Sequence, residues 1–172
     1  RDAQESRGLG DVYKRQFYVK ADGYSDGWMY LEAAPASTEW TGIPWGSYGT
    51  LIGATGTVIG TGQSNTTKIV TWLNSHGETN RAAQFCDDLV VSGYCDWFIS
   101  CNYSDWFLPS KDELNLMYQN LKVAGFGGFA NNFYWSSSEY VAGDAWTQSF
   151  GNDYQFNYNK NYTARVRAVR AF

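Results

Sequence analysis

From residue 133 onward, ring-bearing and polar positions tend to alternate. The clearest case is GNDYQFNYNKNY (151–162), where Tyr154, Phe156, Tyr158, Lys160 and Tyr162 share one parity and Gln155, Asn157, Asn159 and Asn161 the other. A period of two places rings on one face of a strand and amides on its opposite face. The neighbouring stretches FYWSSSEY, AWTQSF and ARVRAVRAF read as further short strands. Upstream the period lengthens. TNRAAQFCDDLVV (79–91) sets Ala82, Cys86, Leu89 and Val90 on one helical face, and PSKDELNLMYQNL (109–121) does the same with Leu114, Met117, Tyr118 and Leu121. Ser110 with Glu113 three residues on forms a capping box, which accounts for Asp112 and Glu113 at the positive end of the helix dipole without catalysis. In the front third, GWMYLEAAP (27–35) reads as a strand closed by Pro35, and 39–66 reads as irregular. Glycine recurs there at 42, 46, 49, 53, 56, 60 and 62, a spacing suited to turns, and no GKS or GKT comes after it that would make a phosphate cradle. The order is a strand, loops, two helices and a cluster of short strands, which predicts an α+β fold.

Length and charge narrow the function. A chain of 172 residues fits one domain with a sizeable core, and its aromatic share of 18% is high. Charged residues make up only 17%, with a net charge of −4, which argues against nucleic acid or an anionic membrane as partner. No apolar run reaches membrane-spanning length, so no membrane insertion is expected. Residues 1–16 share no apolar period with the rest of the chain. Their end, DVYKRQ, matches the translation of a transposase-type sequencing adapter, so 1–16 read as a non-native arm on a metagenomic fragment and 17–172 as the single domain. On that reading, upstream regions that would carry an export signal or drive homo-oligomerisation are missing.

Candidate chemistry is sparse. His76 is the only histidine and sits in the turn-like NSHGE, and Cys86, Cys95 and Cys101 show no zinc spacing. A tight Asp-rich calcium loop is lacking as well. No catalytic residue, metal ligand or cofactor is therefore assigned. YCDWFISCN (94–102) is succeeded in register by the similar YSDWFLPSK (103–111). The first copy reads as an insertion in which Cys95 and Cys101 either clip a surface loop or remain free thiols; the spacing leaves both open. Arg165, Arg167 and Arg170 in the last strand are expected to pair with Glu139, Asp112 or Glu113.

DWFLPSKDELNLMYQNL, YWSSSEY…AW and the closing RVRAVRAF together resemble the Lcl C-terminal domain family, named for a collagen-like bacterial adhesin, over about Gly23 to Phe172. The resemblance implies a C-type lectin-like fold: two helices, short antiparallel sheets, and a strand at 27–31 paired with the terminal strand at 165–172. It also implies that Trp135 and Trp146 are core residues. Many such domains are similar to the variable proteins of diversity-generating retroelements, in which AAC template codons become NNC. NNC cannot encode Glu, Gln, Lys, Met or Trp, and between 140 and 164 those types occur only as Trp146, Gln148, Gln155 and Lys160. A randomised surface on a fixed frame has this look.

The expectation is a non-enzymatic domain displaying Tyr140, Asp144, Thr147, Ser149, Asn152, Asp153, Tyr154, Asn157, Tyr158, Asn159, Asn161 and Tyr162 to a protein or glycan target. Tyrosine offers a large contact area for little entropy, and Asn, Ser and Gly offer adaptable hydrogen bonds. Lys160 beside Asp144 and Asp153 is too little positive charge for a sulfated polysaccharide. Phe150 and Phe156 are expected to pack inward. The resemblance points to a cell surface, an extracellular appendage or a phage virion. A structural tail module is the alternative, and a formylglycine-generating type of enzyme is a weaker one, since that chemistry needs a reactive cysteine pair.

Overall fold

The computed structural model describes residues 14–23, 27–96 and 99–172, with the backbone alone at 94–96 and 99. Most of the 1–16 arm, residues 1–13, lies outside the described residues, as do Trp97 and Phe98 of the first duplicated copy. The fold is α+β. Strands β1 (Gln16–Val19), β2 (Tyr30–Ala33) and β10 (Val169–Ala171) make one antiparallel sheet in the order β1-β2-β10. Ala33 faces Val169 and Leu31 faces Ala171, so the expected pairing of the early strand with the terminal one is present. The larger sheet runs β3-β9-β6-β7-β8, from β3 (Trp40–Pro44), β9 (Thr163–Val166), β6 (Phe133–Val141), β7 (Asp144–Ser149) and β8 (Gln155–Asn159). Tyr134 against Arg165 is a parallel contact, joining β6 to β9. The duplicated segment forms a separate two-stranded hairpin, β4 (Val91–Asp96) with β5 (Ile99–Tyr103).

Three α-helices pack on these sheets among the described residues, where the periodicity predicted two. α1 (Gly62–Ser75) lies inside and beyond the stretch expected to be irregular. It buries Gly62, Asn65, Thr66, Ile69 and Leu73, a helical stripe whose first half is polar. Asn65 donates to the Gly56 carbonyl at 2.6 Å, and the Thr66 hydroxyl accepts the Leu108 N–H at 3.0 Å, so the polar half is bonded to loops. α2 (Ala82–Asp87) is shorter than predicted and leaves Val90 exposed, while Cys86 faces the core. α3 (Lys111–Met117) begins with the predicted capping box: the Ser110 hydroxyl accepts the Glu113 N–H, and the Glu113 carboxylate accepts the Ser110 N–H at 2.7 Å. It continues as a π-helical turn over Tyr118–Lys122.

β6 divides the core. Tyr134 points into a cluster with Leu114, Met117, Phe129 and Phe150, while Trp135 points into another with Trp45, Ile69, Leu73, Trp106 and Leu108. Between them and Glu139, the run Ser136–Ser137–Ser138 slips its register against β7. The serines act as a socket. Trp45 Nε1 donates to the Ser136 carbonyl at 2.8 Å, the Ser137 N–H donates to the Pro109 carbonyl at 2.8 Å, and the Ser138 hydroxyl donates to the Gly56 carbonyl at 2.7 Å. The glycine-rich loop and the entrance to α3 are thereby fastened to the central strand.

The terminal arginines find other partners than the expected ones. Arg165 and Arg167 both grip Glu39 at 2.6 Å, and Arg170 grips Glu32 at 2.6 Å with Asp105 at 3.5 Å. Glu113 is taken by the helix cap, and Glu139 by Lys160, so neither was free to receive them.

Candidate ligand-binding surface

β8 is an edge strand, paired among the described residues with β7 alone. The register sets Phe156 opposite Thr147 and Tyr158 opposite Ala145, with Gln155 opposite Gln148 and Asn157 opposite Trp146 between them. Rings and amides therefore part to opposite faces, as the period of two requires.

On the ring face the aromatics form a continuous row. Tyr154 and Phe156 stack at 5.9 Å, Phe156 meets Tyr158 edge-on at 5.6 Å, and Tyr158 meets Tyr162 at 5.1 Å between centroids. Phe133 of β6 closes on Phe156 at 5.2 Å and widens the row. Tyr154 is 64% exposed and Tyr162 57% exposed, so the two ends stand open. Tyr158 is half-buried because it also leans on the core ring of Trp135 at 5.6 Å. Phe156 is half-buried and Phe150 fully buried.

The amide face holds a smaller cluster. Tyr140, half-exposed, meets Trp146 edge-on at 5.2 Å, and the Lys111 ammonium lies 4.2 Å from the centre of the same indole. Asn157 donates to Asp144 at 3.1 Å. Trp146, which the resemblance implied to be core, is only half-buried: it faces outward from β7 beside Asn157.

Several predicted positions are engaged in the frame. Thr147 and Ser149 are buried on the sheet and present no side chain to a partner. Asp153 takes φ 64° in the β7–β8 turn and accepts from the buried Gln148 at 3.0 Å. The Asn152 and Asn159 side chains accept the Tyr154 and Asn161 N–H groups, so both shape turns. Asn161, Asn152 and Asp153 are nonetheless exposed at the two ends of β8.

Lys160 departs most from expectation. The alternation set it on the ring face as a surface cation, but its side chain is fully buried. The chain turns at Asn159–Lys160 and sends the ammonium inward, 2.6 Å from Glu139, 2.9 Å from the Thr50 carbonyl and 4.7 Å from the centre of the Trp45 ring. Burial pushes this ammonium's pKa down from its ordinary value, against the opposing pull of Glu139. Glu139 in turn accepts the Ile52 and Gly53 N–H groups at 2.9 and 2.8 Å, so one buried ion pair joins β6, the glycine-rich loop and the turn from which Tyr162 emerges.

Sequence reasoning missed Phe133 and Lys111 as members of this surface. The signal for Phe133 was its parity: it pairs with Ser149 in the register that carries Thr147 and Phe156. Nothing local marked Lys111, which reaches Trp146 only through the docking of α3.

The model of the Lcl C-terminal domain matches residues 37–170. The chain belongs to the Lcl C-terminal domain family. Membership points to a surface-associated, adhesin-like C-terminal domain. The match spans the ring row, the Lys160–Glu139 pair and both Glu39-bound arginines. No curated protein matches the chain. No helix among the described residues is long and apolar enough to cross a membrane.

Elsewhere, Cys101 is disulfide-bonded and Cys86 is a free, buried thiol; the side chain of Cys95 is outside the described residues. Burial pushes the Cys86 thiol's pKa well up. His76 is exposed and stacks on Trp72 at 3.9 Å.

Proposed function

We propose that this family member is a non-enzymatic binding head, and that the row Tyr154–Phe156–Tyr158–Tyr162, widened by Phe133, is the surface that takes its protein or glycan target. The exposure of Tyr154 and Tyr162 at the ends of a packed ring row carries the reading. Burying an aromatic anchor of this kind is worth about 2 kcal/mol or more in a complex. The rigid support beneath, in which Tyr158 rests on Trp135 and the next turn is pinned by Lys160, limits the entropy lost on binding. A C-type lectin-like frame and an extracellular, cell-surface or virion setting fit the same role. The withdrawal of Lys160 into the core favours an uncharged glycan or a protein over a sulfated polysaccharide. Against catalysis stands the Cys86 thiol, which is buried and hard to ionise.

Retroelement diversification of this surface is part of the proposal. Between 140 and 164, the four residues that NNC codons cannot encode belong to the frame. Gln148 and Lys160 are fully buried, Gln155 donates to the Lys111 carbonyl at 2.8 Å, and Trp146 sits under the Lys111 ammonium. The exposed positions, Tyr140, Val141, Asn152, Asp153, Tyr154, Asn157, Asn161 and Tyr162 among them, are all encodable. An adenine-rich copy of this segment near a reverse-transcriptase gene would support the diversification, and its absence from the intact locus would remove that part.

For binding itself, a displayed random-peptide library and a glycan array are presented to the wild-type domain and to the Tyr154→Ala/Tyr162→Ala variant. Binders that the wild type retains and the folded variant loses are expected. A set of binders indifferent to both substitutions would overturn the assignment.

A further inference from the structure

The backbone edge beside the ring row is open. The Ser149 N–H donates to the Tyr154 carbonyl at 2.9 Å, and the Lys160 N–H donates to the Gly143 carbonyl at 2.9 Å. These two bonds bracket β8 and fix its parity: Tyr154, Phe156 and Tyr158 turn their backbone groups toward β7, while Gln155 and Asn157 turn theirs away from the sheet. The Asn159 carbonyl is closed by the Tyr162 N–H at 2.9 Å. Among the described residues no backbone or side-chain group bonds the outward N–H and C=O of Gln155 and Asn157, and Asn157 is exposed.

Sheets ordinarily protect such an edge with a proline, a bulge, a short strand or a solvated lysine. β8 has none of these. Its register with β7 runs unbroken from Gln155 to Asn159, whereas the β1–β2, β3–β9 and β6–β7 pairings all shift register. The lysine at its end is buried.

We propose that β8 is a strand-addition site, where an extended segment of a partner protein, alternating apolar and basic side chains, pairs with the Gln155–Asn159 edge. This deepens the binding-surface reading and rests on it. Backbone pairing at an exposed sheet edge provides affinity, and alternate side chains provide selectivity. Residues of the incoming segment opposite Phe156 and Tyr158 share the ring face and are apolar. Those opposite Gln155, Asn157 and Asn159 share the face carrying Asp144 and are basic. The charge argument also favours a foreign strand over a second copy. The chain is acidic at −4, and the two cations beside this strand are engaged, Lys160 by Glu139 and Lys111 over the Trp146 ring, so a second copy of this edge would bring no uncommitted cation to the contact.

The test uses fluorescent synthetic peptides alternating valine with lysine or valine with glutamate, measured by anisotropy against the whole chain. The lysine peptide is expected to bind and the glutamate peptide to bind about tenfold more weakly or less. Asn157→Pro removes one outward N–H without removing a β7–β8 bond, so the domain keeps its circular dichroism and melting while peptide affinity falls about tenfold. Lysine peptides N-methylated along one edge or the other give the same answer without altering the protein. One methylated set loses binding and the other keeps it. Failure of both peptides to bind, unaltered affinity in folded Asn157→Pro, or equal behaviour of the two methylated sets overturns the proposal. A dimer in sedimentation velocity that Asn157→Pro abolishes also overturns it, by assigning the edge to a second copy. Library binders lost in Tyr154→Ala/Tyr162→Ala but unaffected by Asn157→Pro would leave the surface reading standing and remove strand addition alone.

Discussion

Replacing Lys160 by methionine isolates the contact that holds the ring row in place. The side chains of Lys160 and Glu139 are both fully buried, with the ammonium 2.6 Å from the carboxylate. Methionine fits the volume beside Trp45 but leaves Glu139 charged in the interior. Removing one member of a buried pair costs about 3–5 kcal/mol, most of it from the partner left uncompensated. Here the Ile52 and Gly53 N–H groups still bond Glu139, which places the expected cost near the lower end, about 3 kcal/mol. Adding Glu139→Gln to Lys160→Met removes the stranded charge and keeps an acceptor for the loop, so the pair of substitutions is expected to recover about 1–2 kcal/mol of that loss. Urea unfolding followed by tryptophan fluorescence supplies the free energies by linear extrapolation. A cost below about 1 kcal/mol for Lys160→Met, or a double variant no more stable than the single one, would refute the argument that the ion pair bears charge in a dry interior.

The exposed rings carry little of the fold: Tyr154→Ala and Tyr162→Ala are each expected to change stability by no more than about 0.5 kcal/mol, while Tyr158→Ala, which strips a ring from Trp135, costs about 2 kcal/mol, all read by the same unfolding assay. Gly62→Ala is expected to lower Tm by about 5 °C in calorimetry, since an added Cβ meets the Glu113 carboxylate, lies 2.8 Å from the Phe107 ring and lies 2.9 Å from the Ser110 nitrogen. Cys86 is expected to resist a thiol-specific reagent at mildly alkaline pH in the native domain and to react at once in urea, because burial raises its pKa and hides its sulfur; rapid native labelling traced to Cys86 would contradict this.

The strands of the second half were legible because short aromatic-rich runs with alternating ring and polar positions are separated by turn residues, and local chemistry sufficed to find them, although β6 proved to be buried on both faces. The capping box at Ser110 was legible for the same reason, being complete within four residues. α1 escaped because the first half of its buried stripe is Asn65 and Thr66, which are satisfied by the distant Gly56 and Leu108 rather than by apolar neighbours. Hydrophobic periodicity has no access to such a face. Lys160 escaped because alternation assumes the strand continues, and the chain turns just before it. The partners of Arg165 and Arg167 were fixed by the β3–β9 pairing, which draws Glu39 alongside from more than a hundred residues away. Where Thr147 and Ser149 lie depended on the sheet order, since a strand read alone does not say which of its faces a neighbouring layer covers.

The central claim is that the tyrosine row is where a partner lands. Hydroxyl-radical footprinting of the domain, alone and saturated with a binder retained from the peptide or glycan selections, tests it residue by residue. The account predicts that Tyr154 and Tyr162 oxidise readily in the free domain and are protected in the complex, with Tyr134 unreactive in both. Protection confined to a different face, with the two tyrosines equally oxidised in both states, would contradict it.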